Sequence, residues 1–160
     1  MIYRIVFGFF LILVGFSAQS KELGNRLGIG FRNAYSFDLP SLSTIYYPSP
    51  DTGVVGAVGI DTEKDASKSA FSIGVRRILF KEENMNFFMG GQLSMLSHES
   101  LSGTDSGFEV SALVGGEFFM QGLDSLGLSF ESGVAVTSVK RVRFRTVGDH
   151  FFRAGMIFYF

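Results

Sequence analysis

Residues 126–136 read Leu-Gly-Leu-Ser-Phe-Glu-Ser-Gly-Val-Ala-Val, and this stretch decides the fold. Leu126, Leu128, Phe130, Val134 and Val136 fall in one phase. Gly127, Ser129, Glu131, Gly133 and Ala135 fall in the other. Successive side chains of a β-strand point to opposite faces, so a spacing of two predicts a strand with one large apolar face and one small polar face. A helix would mix the two sets, and each interior glycine would cost it about 1 kcal/mol.

The same alternation recurs along the chain. Leu27, Ile29 and Phe31 oppose Gly28, Gly30 and Arg32. Phe71, Ile73 and Val75 oppose Ser72, Gly74 and Arg76. Phe108, Val110, Ala112 and Val114 oppose Glu109, Ser111 and Gly115, and Met156, Phe158 and Phe160 oppose Gly155, Ile157 and Tyr159. Eight strands are predicted, near 25–33, 41–48, 52–61, 69–80, 85–96, 107–119, 125–137 and 148–160. Between them, 48–51, 81–84 and 120–124 read as tight turns. The stretches 33–40, 62–68, 97–106 and 138–147 read as longer, more polar loops.

Composition narrows the environment. The chain has 160 residues, 46% hydrophobic but only 18% charged, with 20 Gly and 19 Phe and a mean hydropathy of +0.28. So apolar a chain has ample surface to bury, which excludes disorder. Its length suits one domain. A net charge of −1 offers no basic surface for nucleic acid. The absence of cysteine excludes disulfides, thiolate metal sites and a cysteine nucleophile. Residues 1–20 combine Arg4, an apolar run from Ile5 to Phe16, and small residues at Ala18 and Ser20. That is the pattern of an export signal cleaved after Ser20, and the run is too short for a membrane-spanning helix.

An even number of two-faced strands, with short turns at one rim and longer loops at the other, is the pattern of an antiparallel up-and-down transmembrane β-barrel over residues 21–160. Both termini then lie at the short-turn, periplasmic rim. A soluble lipocalin-like carrier would place the apolar face inside instead. Here the second face is Gly, Ser, Ala, Gln, Glu and Arg, too small and too charged for a lumen-out arrangement. Arg26, Arg32, Arg76, Glu109, Glu117, Glu131 and Arg153 share that phase. They are expected to form a paired charge network plugging a lumen only wide enough for side chains. The rival reading is a catalytic or ion-conducting carboxylate group.

The chain ends on Phe152-Arg-Ala-Gly-Met-Ile-Phe-Tyr-Phe160, with Phe158 and Phe160 on alternate positions before the terminus. This resembles the C-terminal strand read by the outer-membrane barrel assembly machinery. With Gly115-Gly-Glu-Phe-Phe119 and Leu126-Gly-Leu-Ser-Phe-Glu131, residues 21–160 resemble the small outer-membrane β-barrel proteins, the class of OmpX-like proteins and the OmpA membrane domain. The resemblance implies a Gram-negative cell-envelope protein of the outer membrane, monomeric and without cofactor. Its work would be envelope integrity or surface interaction rather than large-pore transport. Its partners would be lipid, lipopolysaccharide and, during biogenesis, the assembly machinery. No Trp is present, so the interfacial girdle falls to Tyr35, Phe37, Tyr46, Tyr47, Phe80, Phe118 and Phe119.

Two local features carry possible chemistry. His98-Glu99-Ser100 resembles the His-x-Ser pair of outer-membrane lipid A deacylases, in which His activates the Ser nucleophile. Leu101, however, stands where that family has Asn, and the triplet is expected in an outer loop. The remaining histidine, His150, is expected at the interface, and the two give no metal-binding spacing. Lys140, Arg141, Arg143 and Arg145 cluster in the fourth outer loop, where they would meet lipopolysaccharide phosphates.

Overall fold

The computed structural model describes residues 22–35, 39–101, 103–139, 141–147 and 153–160; residues 1–21, with the export signal, lie outside them. Nine strands run in the order β1 (Leu27–Arg32), β2 (Ser41–Tyr46), β3 (Thr52–Asp61), β4 (Lys68–Glu82), β5 (Met85–Ser100), β6 (Gly103–Met120), β7 (Leu123–Thr137), β8 (Arg143–Val147) and β9 (Arg153–Tyr159). Each strand from β1 to β7 pairs antiparallel with the next, β7 pairs with β9, and β9 pairs with β1. Eight strands therefore close a barrel, and β8 lies outside the ring. It continues the β9 edge of β7, with Val147 opposite Gly133 and Arg153 opposite Glu131.

The register fixes the barrel's shape. Partners followed from Ile157 through Gly30, Ser43, Ala57, Ser72, Ser94 and Glu109 arrive at Thr137, whereas the β7 partner of Ile157 itself is Gly127. The ring closes with a stagger of ten residues over eight strands, and such a stagger tilts the strands by about 40° from the barrel axis.

Alternation divides the faces as the periodicity predicts. Leu27, Ile29 and Phe31 on β1, Phe71, Ile73 and Val75 on β4, and Phe108, Val110 and Val114 on β6 are all exposed on the outer surface. Buried between them are Ser43, Ser72, Ser94, Ser111 and Ser129, together with Arg32, Arg76, Gln92, Glu109, Glu117, Glu131 and Arg153. The outer face of the ring is thus predominantly apolar, while these ionisable residues lie inside, together with apolar side chains such as Ile45, Val55, Ile78, Phe119 and Ile157.

Three expectations are corrected. The stretch 97–106 is not a loop: β5 runs to Ser100 and β6 starts at Gly103, with Ser97 opposite Ser106 and His98 opposite Asp105. Both faces of this extension are polar, so alternation carried no signal for it. Arg143–Val147 is a strand rather than loop, because the edge of β7 above β9 offers it backbone partners. In the expected girdle, Tyr46, Phe80 and Phe118 are exposed, but Tyr35, Tyr47 and Phe119 are buried inside the barrel. Tyr47 and Phe119 share the phase of the lumen residues, and Tyr35 lies on the loop folded into the long-loop mouth. Phe37 lies outside the described residues.

Two glycines show how closely the wall packs. A Cβ on Gly30 would run into the Met156 carbonyl oxygen, and one on Gly133 into the Ala112 carbonyl oxygen. On the outer face, a Cβ on Gly91 would meet only the Ser111 oxygen, at 3.6 Å. Gly30→Val is accordingly expected to lose about 1–3 kcal/mol or to prevent closure. Gly91→Ala should fold like the parent, as urea titrations of the two refolded variants will report.

Candidate functional site in the barrel lumen

The lumen is built in layers from the inward phase of the strands. Nearest the short-turn rim, Arg76 of β4 donates from Nη2 to Glu117 Oε2 of β6 at 2.7 Å and to the Tyr159 hydroxyl at 2.9 Å. Its Nε donates to the Tyr47 hydroxyl at 2.7 Å. The Tyr159 hydroxyl donates in turn to Glu117 Oε1 at 2.7 Å. The guanidinium carbon lies 4.5 Å from the ring centre of Phe88 and 5.4 Å from that of Tyr47, within cation–π range. Leu23, Ile45, Val55, Ile78, Phe119 and Ile157 wrap this cluster. Both carboxylate oxygens of Glu117 and the Nε and Nη2 of Arg76 are thus hydrogen-bonded inside an apolar sleeve, the condition under which a buried ion pair is tolerated.

Halfway along the barrel, Arg32 of β1 reaches across to Glu131 of β7 at 2.9 Å and to Gln92 Oε1 of β5 at 2.9 Å. Gln92 passes the chain on, donating to Ser94 Oγ at 3.0 Å and to the Ala34 carbonyl at 3.3 Å. Arg153 of β9 meets Glu109 of β6 at 3.4 Å. Glu109 and Glu117 have no solvent exposure. Between the Arg32 and Arg76 layers the lumen leaves a cavity of about 10 Å³, room for about one water molecule.

At the long-loop mouth, Ala34, Tyr35 and Leu39 pack against Ala57, Ala70 and Leu96. The Tyr35 hydroxyl donates to the Ala57 carbonyl at 2.7 Å.

Six of the seven expected lumen charges are brought together as three Arg–Glu pairs. Arg26 is not among them: it lies half-buried in the turn before β1, its amide donating to the Leu23 carbonyl. Alternation extrapolated past the strand end placed it inside. Sequence reasoning did not single out Gln92, Tyr47 or Tyr159 as members of this network. Their inward phase was the available signal.

His98 and Ser100 sit on the extended β5 rather than in a loop. Ser100 donates its hydroxyl to the Gly103 carbonyl across the hairpin end at 3.1 Å. The buried Nδ1 of His98 has no hydrogen-bond partner, so no His98 Nδ1–Ser100 hydrogen bond exists. Arg143 stands opposite Thr137 and Arg145 opposite Ala135, both buried lumen-side positions. These two arginines therefore overhang the mouth instead of facing outward, and Arg141 is exposed at the tip. Lys140 and His150 lie outside the described residues. Phe158 is on the outer face, paired with Ile29 and Leu126, and the amide of Phe160 donates to the Leu27 carbonyl at 2.8 Å.

Comparison with protein-family models, with curated proteins and with solved structures finds no match.

The Arg76–Glu117 pair dominates the lower lumen. Glu117→Gln leaves a buried guanidinium without its counter-charge and should cost about 3–5 kcal/mol. The double variant Arg76→Met with Glu117→Leu removes both charges and should recover much of that loss. Denaturant midpoints of the single and double variants check the coupling.

Proposed function

We propose that this chain is an outer-membrane β-barrel protein of structural or interaction type, supporting envelope integrity or surface contact, with a lumen plugged by its own side chains. One observation carries the reading: every strand in the ring presents large apolar side chains on the outside, and three Arg–Glu pairs are on the inside. Water would penalise that outer surface, since soluble monomers rarely expose contiguous apolar patches beyond a few hundred Å². A bilayer favours it. Hydrocarbon also demands that backbone polar groups be paired within the structure, which the closed ring achieves.

A soluble carrier needs the opposite distribution, an apolar cavity that holds a ligand. The lumen here is charged and filled, with about 10 Å³ left between its layers. A lipid A-modifying hydrolase would need His98 to activate Ser100, whose hydroxyl donates to the Gly103 carbonyl at 3.1 Å. The C-terminal aromatic positions Phe158 and Phe160 fit recognition by the barrel assembly machinery. Among the described residues of the basic cluster, Arg141 at the exposed tip is well placed to meet lipopolysaccharide phosphate.

The absence of Trp makes a direct test simple. A Trp introduced at the outward Ile73 should be strongly quenched by lipids brominated on their acyl chains, and a Trp at the lumen-facing Ser72 should not. Equal quenching at both positions, or no association with vesicles, would sink the membrane reading. In planar bilayers the protein should give no stable conductance steps; regular large-pore openings would overturn the plugged lumen.

A further inference from the structure

The outward phase of β4 reads Phe71, Ile73, Val75, Arg77 and Leu79, all of them exposed. Arg77 therefore stands on the apolar outer wall, between Val75 and Leu79 on its own strand and beside its β5 partner Met89. The other arginines of the ring strands, Arg32, Arg76 and Arg153, turn into the lumen, and each meets a glutamate. Arg77 does not: among the described residues its side chain has no ion pair and no hydrogen bond.

Two hydroxyls lie beside it. The β3 partner of Arg77 is Thr52, the first residue of that strand. Cross-strand partners have Cβ atoms about 5 Å apart on one face, so these two side chains are neighbours. One strand further, Tyr46 of β2 points outward opposite Val54 and is 45% exposed. Neither the Thr52 nor the Tyr46 hydroxyl has a hydrogen-bond partner among the described residues. Asp51, the acid next to Thr52 in the chain, is held by Lys81 at 2.8 Å.

Depth decides what such a group can meet. Thr52 follows the 48–51 turn directly, so the three side chains lie towards the short-turn rim. A cation on a lipid-facing wall is costly at the bilayer midplane and tolerated near an interface. There its stem lies along the apolar surface while its head reaches the lipid headgroups. Those of glycerophospholipids share an anionic phosphate, which a planar guanidinium grips through two parallel hydrogen bonds.

We propose that Arg77, flanked by Thr52 and Tyr46, binds the phosphate of a glycerophospholipid in the leaflet at the short-turn rim. Arg77 pairs with the phosphate oxygens, and the acyl chains lie along the exposed Val54, Val75 and Met89. The site rests on the membrane reading and names a lipid for it.

The test uses single-Trp variants refolded into vesicles of an uncharged, phosphate-free galactolipid. A small fraction of phosphatidylglycerol or of galactolipid, brominated on its acyl chains, is mixed in. Val54→Trp reports on the site; Val136→Trp, outward on β7 across the ring, reports on the wall far from it. At Val54→Trp, brominated phosphatidylglycerol should quench as if enriched about fivefold over its share of the vesicle. Brominated galactolipid should quench only in proportion to its share. Adding Arg77→Gln, a change at an exposed side chain, should reduce phosphatidylglycerol to its share as well. Val136→Trp should show no enrichment with either lipid. Enrichment that survives Arg77→Gln, or that is equal at both Trp positions, would overturn the site. Its loss to inorganic phosphate at constant ionic strength would do the same, by assigning the anion to solution. Proportional quenching by both lipids at Val54→Trp would overturn the site alone and leave the membrane reading standing. No quenching by either lipid at either position would overturn both.

Discussion

Closing eight strands into a ring is the constraint on which the rest depends. The ring pairs the backbone of every strand with two neighbours, and its stagger of ten residues sets the tilt and width of the lumen. A lumen that narrow admits side chains and little else. Its inward positions are therefore Gly, Ser and Ala where the wall is crowded, or long side chains that find partners across the axis. Arg32 on β1 reaching Gln92 on β5, and Arg76 on β4 reaching Tyr159 on β9, join strands on opposite sides of the ring.

The same closure turns the other phase of each strand, rich in Phe, Leu, Ile, Val and Met, outward. In a water-soluble barrel the apolar set fills the centre and provides the driving force for folding. Here the centre is held by hydrogen-bonded ion pairs, and buried ion pairs contribute little net stability because desolvation offsets their attraction. The outer surface must gain its favourable environment elsewhere, which under the proposed function is lipid. Charged lumen and apolar outer surface are two sides of one inversion, which is why the function proposed rests on that inversion rather than on any single residue.

The lumen is also graded. Near the short-turn rim, Arg76 is enclosed by two tyrosine hydroxyls, a carboxylate and the ring of Phe88, with aliphatic side chains sealing the sleeve. Towards the long-loop mouth Arg153 keeps Nε and Nη1 buried without a hydrogen-bond partner.

The alternation of residues such as 126–136 by itself determined that the ring strands form, which of their side chains share a face, and that charge falls on the small-residue face. It did so because the strand period of two is a local property of the backbone. It did not reach the polar β5–β6 extension or β8, where neither face is apolar enough to mark a phase, and it misled at Arg26, which stands one residue before its strand. Aromatic residues were ambiguous for a different reason. Tyr47 and Phe119 suit an interface as well as a core, and only the ring placed them around Arg76. Which arginine meets which glutamate was likewise decided by tertiary structure alone. Those partners lie between 41 and 99 residues apart in the chain, and the stagger of the closed sheet, a property of all eight strands together, is what brings them to the same height.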